Sequence, residues 1–161
     1  MSTQSRTRDT LAFMAILALC LAVSALGAVA TASSVNSWYP LLVKPVFNPP
    51  NWVFAPVWSA LYFMMAIAAW RVWRARGLPR ARKALLLFCV QLALNLGWSL
   101  LFFGMRNIGA ALVEIVILLL AIIATTVAFR RHDRIAGMLM LPYAAWVAYA
   151  TLLNAALWHL N

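Results

Sequence analysis

Five stretches of this 161-residue chain, at about 11–30, 52–70, 84–105, 108–129 and 135–160, run for some twenty residues with almost no charge. The second reaches that length only with its proline-rich entry counted. Roughly 20 mainly apolar residues in a helix cross the hydrocarbon core of a bilayer. Each run is continuously apolar rather than alternating, which selects helices over a membrane β-barrel. Composition agrees: 66% of residues are hydrophobic and only 10% are charged, against about 25% charged in ordinary soluble domains. A water-soluble fold of this composition would expose too much apolar surface. The expected fold class is an all-α membrane protein, a single five-transmembrane-helix bundle over 1–161. The first run follows Arg6 and Arg8 and ends near Ala28-Val29-Ala30, as a signal peptide does. Its apolar stretch exceeds the roughly 7–15 residues of such a segment, so a retained helix is expected.

Thirteen Lys and Arg face three Asp and Glu, a formal charge of +10. In a soluble protein that balance would suggest nucleic acid. Here no connection is long enough to fold a reading module, and the cations cluster between apolar runs. Arg6 and Arg8, then Arg71, Arg74, Arg76, Arg80, Arg82 and Lys83, then Arg130, Arg131 and Arg134 all fall on one side of the bundle, with only Lys44 and Arg106 opposite. Such a distribution fits a multi-pass membrane protein and no nucleic-acid partner. In a bacterial inner membrane it places the amino terminus inside. Cys20 and Cys89 lie in apolar runs and read as small buried side chains.

Catalytic groups are scarce. Asp9 and Asp133 fall outside the spans and only Glu114 lies at membrane depth, so no carboxylate pair is expected. His132 and His159 form no metal-ligand grouping, so no metal and no required cofactor is expected. Glu114 carries the functional hypothesis of any intramembrane acid; pairing with Arg106 or Lys44, or a polar interhelical contact, equally accounts for it. Residues 31–51 are rich in Ser, Asn and Pro. Pro40, Pro45, Pro49 and Pro50 stiffen them into a lid across one mouth of the bundle, or into a spacer. No internal repeat of the transporter kind is visible. Pro142 should kink the fifth span. Ala93 and Gly97 form a small-xxx-small pair that suggests a homodimer.

Eight tryptophans exceed what lipid solubility requires. Trp52, Trp70, Trp73 and Trp158 sit near span ends, where Trp concentrates at the membrane interface. Trp58, Trp98 and Trp146 lie deeper. Gln91, Asn95 and Trp98 or Ser99 share one face of the third span, Tyr143, Trp146, Ala150 and Asn154 one face of the fifth, and Trp58 and Tyr62 are a turn apart on the second. Aromatic area, amides and a small residue beside Trp146 are what a pocket for a large, flat, mostly apolar ligand requires. Packing faces with amides bonding across helices explain the pattern equally well.

The run Trp38-Tyr39, Lys44-Pro45, Asn48-Pro49-Pro50-Asn51-Trp52-Val53-Phe54, Pro56-Val57-Trp58 and Leu61-Tyr62 resembles the first loop and second helix of the tryptophan-rich sensory protein/translocator protein (TspO/MBR, peripheral benzodiazepine receptor) family. Gln91-Leu92-Ala93-Leu94-Asn95 with Trp98 and Phe102-Phe103-Gly104 resembles its third helix, and Pro142-Tyr143 with Trp146, Ala150 and Leu153-Asn154 its fifth. The resemblance covers roughly residues 38–154. It implies a five-helix bundle, commonly a homodimer, that binds porphyrins such as protoporphyrin IX and acts in tetrapyrrole or stress regulation. In some members it also implies sterol-like and isoquinoline or benzodiazepine-type ligands. Carried over, the ligand-binding residues are Trp58 and Tyr62, Asn95 and Trp98, and Trp146, Ala150 and Asn154, with Trp38 in the lid. For a bound porphyrin, the amides and Lys44 or Arg106 near the mouth are expected to meet the propionates. Alternative roles that it implies are transport of porphyrins or other amphiphiles, and a light-dependent porphyrin breakdown in which Trp58 and Trp146 would be the reactive residues. The sterol motif at the end of the fifth helix is incomplete: Ala155-Ala156-Leu157-Trp158-His159 supplies neither its Tyr nor its basic residue.

Overall fold

The computed structural model describes residues 3–161, all helices and connections with no strand among them. Among the described residues five helices are long and apolar enough to cross a membrane: α1 (Thr3–Val35), α2 (Asn51–Ala75), α3 (Gly77–Gly104), α4 (Ile108–His132) and α5 (Arg134–Leu160). The expected bundle is present, but its helices overrun the apolar runs. The largest difference lies between α2 and α3, where residues 71–83 read as a basic connection. They are helical on both sides of a single break at Gly77, whose φ of 68° and ψ of 165° lie outside the helical region. Arg, Lys and Ala are good helix formers, and Pro79 falls in the first turn of α3, where its missing N–H is harmless. A left-handed residue ends α2, and glycine supplies it without steric cost.

Residues 31–35 belong to α1, so the lid segment is shorter than the expected 31–51. It runs from residue 36 to α2 with one 3-10 turn at Tyr39–Leu41 and another, Asn51–Val53, opening α2. α3 closes in a π-helical turn, Leu100–Gly104. Asn107 then caps α4, its side chain accepting from the Ala110 N–H at 2.9 Å. The kink expected at Pro142 appears one step earlier: α5 breaks at Met140, and Pro142 sits in the first turn of the restarted helix Leu141–Leu160. That position leaves few backbone groups unpaired.

The main core fills the half of the bundle nearest the basic connections. Met65, Ala68, Ala69 and Val72 of α2 meet Ala84 and Phe88 of α3, Ile122 and Phe129 of α4 and Met140 of α5, all buried, with Phe88 stacked on Phe129 at 5.8 Å. α1 contributes little to it. Among its described residues only Cys20 and Ser34 are buried, and the helix is pinned near its ends. At one end the Trp70 indole donates to the Asp9 carbonyl at 3.1 Å and Arg74 pairs with the Asp9 carboxylate at 3.6 Å. At the other, Ser34 donates to the Phe103 carbonyl at 2.6 Å and accepts from Arg106 at 3.4 Å.

Asp133 joins α4 to α5 with one carboxylate doing two tasks. It accepts from the Ala136 N–H at 2.8 Å as helix cap, and takes two bonds from Arg71, at 3.2 and 2.9 Å. Burial alone would raise its pKa, but the hydrogen bonds from Arg71 and the backbone outweigh burial and hold the carboxyl below the usual range. A depressed folded-state value contributes stability above the unfolded value, about pH 4, that is lost as pH falls through the folded one. Asp133→Asn keeps a side-chain oxygen for the cap but loses the ion pair with Arg71, so it should lower the stability of the detergent-solubilised protein at neutral pH by up to about 1 kcal/mol. The gap to wild type should narrow in acid below about pH 4.

Glu114 does not pair with Arg106 or Lys44. Both of its carboxylate oxygens are buried with no hydrogen-bond partner among the described residues, and the group packs over Gly97, where an added Cβ would lie 3.6 Å from Oε1. Gly97 thus serves a contact inside the chain. Replacing an unpartnered buried acid by an apolar side chain of similar shape removes a desolvation cost without losing a bond. Glu114→Met should raise the thermal midpoint by the equivalent of about 1–3 kcal/mol; a lower midpoint would mean that the carboxyl has a partner.

Candidate ligand cavity

The half of the bundle away from the basic connections is only partly filled, by a smaller cluster of Tyr39, Phe102, Ala111, Leu153 and Leu157. A cavity of about 420 Å³ opens there, walled by α1, α2, α3, α5 and the first loop. That volume falls in the range of small-molecule sites. Seven of the residues singled out from the sequence share this one cavity: Trp58 and Tyr62 from α2, Asn95 and Trp98 from α3, and Trp146, Ala150 and Asn154 from α5. They arrive from three helices on the i, i+3, i+4, i+7 faces read from spacing. Their rings belong to three aromatic clusters, two of which include a ring behind the lining, Tyr143 or Tyr149. Trp58 lies 5.7 Å from Tyr62 and 6.2 Å from Tyr143, Trp146 lies 6.0 Å from Phe54 and 5.7 Å from Tyr149, and Trp98 stacks on Phe102 at 5.2 Å.

The amides have a different role from the one their position suggested. Tyr62 donates to Asn95 Oδ1 at 2.6 Å, and Asn95 Nδ2 donates to the Tyr143 hydroxyl at 3.1 Å, so one buried amide ties α2, α3 and α5 together. Trp98 Nε1 donates to Asn154 Oδ1 at 3.0 Å, and Asn154 Nδ2 donates to the Ile108 carbonyl at 3.0 Å, joining α3, α5 and the start of α4. These are the interhelical bonds that stabilise membrane bundles. They also hold the cavity walls in a fixed arrangement, leaving each amide one further donor and acceptor site at most. Gln91 sits apart from the cavity, fully buried, with a long 3.9 Å contact to Met65 Sδ and its Oε1 unpaired.

Trp38 is not on the cavity wall. It lies in the lid segment, its ring edge-on to Phe102 at 5.7 Å, and the neighbouring Tyr39 lines the cavity. Tyr39 is buried against Phe102 and Phe103 and donates to Asn48 Oδ1 at 2.8 Å. Burial pushes its hydroxyl above the usual tyrosine range despite the Asn48 bond. The loop is fastened to α5 at two further points: the Tyr149 hydroxyl donates to the Phe47 carbonyl at 2.6 Å, and the Asn161 amide exchanges two bonds with the Val43 backbone, at 2.9 and 3.1 Å. The segment is therefore an ordered cover. Lys44 and Arg106 do not line the cavity.

Spacing did not single out the α1 wall. Ser24, Gly27, Ala28, Thr31, Ala32 and Val35 line one side of the cavity. Their intervals of three and one repeat as one helix face, and nearly all are small. That signal was present in the sequence, but small residues serve helix packing equally well.

A family model described as the TspO/MBR family matches residues 16–159. The "Tryptophan-rich protein TspO" of Chlorobaculum tepidum is 42% identical, the alignment covering 90% of this chain and 92% of that protein. The "Tryptophan-rich sensory protein" of Cereibacter sphaeroides is 39% identical over 95% and 93%, and the "Translocator protein" of Homo sapiens 42% over 77% and 75%. All of the residues that line the cavity fall within the span of the family match.

Proposed function

Since this chain belongs to the TspO/MBR family of multi-pass membrane proteins, we propose that it is an integral membrane porphyrin-binding protein. It takes a protoporphyrin IX-like tetrapyrrole into the bundle cavity and acts in tetrapyrrole or stress regulation. One observation carries the reading: a 420 Å³ cavity at membrane depth whose walls present Trp58, Tyr62, Trp98 and Trp146. Broad, rigid aromatic faces at separations of several ångströms suit a flat macrocycle, which gains both area burial and offset stacking. Ala150 and the small residues of α1 leave room for its edge. The interhelical amide bonds lower the cost of binding by fixing the walls in advance.

The test is a titration of protoporphyrin IX into detergent-solubilised protein, followed by quenching of tryptophan fluorescence. Saturable quenching with about one porphyrin per chain is expected. Quenching that rises without saturation, as partition into the micelle produces, would contradict the proposal.

A further inference from the structure

The first loop turns apolar side chains outward. Val46 is fully exposed, and Leu41, Val43, Phe47 and Trp52 are each at least half exposed. Between Asn36 and Val53 the one charged residue is Lys44, whereas the connections at the other end of the bundle are dense with arginine. A connection lying in water has no use for five bare apolar side chains and a single charge.

The height of the loop in the bundle identifies what covers them. Val43 is fastened to Asn161, just beyond the end of α5, but the Phe47 carbonyl accepts from Tyr149, some three turns back toward the basic end, or roughly 17 Å along the helix. Side chains lean toward the amino terminus of their helix, so the reach of Tyr149 takes that bond deeper still. α2 opens at the same depth. Phe54, near its start, meets Trp146 at 6.0 Å, and Trp146 lies about 20 Å short of Leu160. From Arg71, bonded to Asp133 at the basic end, to Asn51 is about 30 Å of helix, the thickness of the hydrocarbon core. Val46 and Phe47 therefore stand where hydrocarbon meets headgroups.

The backbone suits that layer. Pro40, Pro45, Pro49 and Pro50 have no N–H to leave bare. The carbonyls of Pro40 and Leu42 accept from Lys44 Nζ at 3.2 and 3.3 Å, that of Pro45 from the Asn48 N–H at 3.0 Å, and that of Pro49 from Asn48 Nδ2 at 3.0 Å. Unpaired backbone groups are what bars irregular chain from lipid. Lys44, the one charge, is turned onto the loop's own carbonyls and sits 5.0 Å over the Tyr39 ring.

We infer that the first loop is an interfacial membrane anchor, inserted into the leaflet at this end of the bundle with Val46, Phe47 and Trp52 against lipid. Its partner is the bilayer itself, because the exposed patch continues the lipid-facing surface of α2 at the level where Trp concentrates. The inference is independent of the porphyrin reading.

The experiment places a nitroxide label on Val46→Cys in the full chain, with Cys20→Ala and Cys89→Ala, reconstituted in zwitterionic lipid. Its collision rates with oxygen, which concentrates in lipid, and with a water-soluble nickel chelate are measured. Two reference labels bracket the result: Leu120→Cys, exposed at the middle of α4, and Arg80→Cys, exposed in the basic connection. The oxygen-to-nickel ratio at Val46→Cys is expected several-fold above that at Arg80→Cys, toward the value at Leu120→Cys. A ratio equal to or below that at Arg80→Cys would put the loop in water and overturn the inference. Slow collision with both reagents would mean that another protein surface covers the loop, which overturns it equally. Trp52→Cys, at the same depth and exposed, carries the same decision if the first variant does not fold.

Discussion

Truncating Trp58 and Trp146 together to alanine should raise the dissociation constant for protoporphyrin IX by roughly a hundredfold. Each ring supplies a stacking face as well as buried area, and the loss of about 1–1.5 kcal/mol per ring compounds to nearly 3 kcal/mol, or two powers of ten. The two residues come from different helices, α2 and α5, and both face the cavity. Both also pack against neighbouring rings, Trp58 against Tyr62 and Tyr143, and Trp146 against Phe54 and Tyr149. The substitutions therefore carry some cost in stability. Circular dichroism and a melting curve separate the two effects, and the paired phenylalanine variants should recover most of the affinity because they keep a flat apolar face. Affinity within twofold of wild type in a folded alanine double variant would remove these tryptophans from the site.

Gly137→Ala should destabilise the bundle by about 2–4 kcal/mol, even though helix propensity alone predicts a gain of about 1 kcal/mol. Gly137 lies in the first helical segment of α5, packed against the last turn of α4. A Cβ added there would stand 2.6 Å from Arg130 Cβ and 2.9 Å from its Cα. The obstruction is at the root of a side chain and in backbone, so no rotamer change relieves it. For a chain of this size each kcal/mol moves the midpoint by about 2–4 °C, so the alanine variant should melt roughly 5–15 °C lower. A higher midpoint would show that propensity wins and that α4 and α5 do not approach so closely.

How much of this was legible in the sequence depends on which force each residue answers to. The five spans were readable because lipid demands an apolar run of nearly fixed length. Their ends were not, because the basic residues 71–83 are both good interfacial residues and good helix formers, and hydropathy sees only the first property. Trp58, Trp98 and Trp146 announced themselves by depth, since an indole away from the interface needs a reason. Asn95 and Asn154 were identifiable as interior polar residues, yet their partners, Tyr62, Tyr143, Trp98 and the Ile108 carbonyl, depend on how helices pack in space. Trp38 stays in the lid segment but packs edge-on to Phe102, while its neighbour Tyr39 lines the cavity, and the loop's fastenings at Phe47 and Val43 go to Tyr149 and Asn161, partners that no local pattern encodes. The α1 wall and the Gly137 contact were hidden for a common reason: a small residue marks close approach without naming what approaches.

The most direct test of the account is a structure of the protein with protoporphyrin IX bound. The macrocycle should lie inside the bundle between Trp58 and Trp146, one edge against Ala150 and the small residues of α1. A tetrapyrrole seated on the outer face of the helices, with this cavity empty, would contradict it.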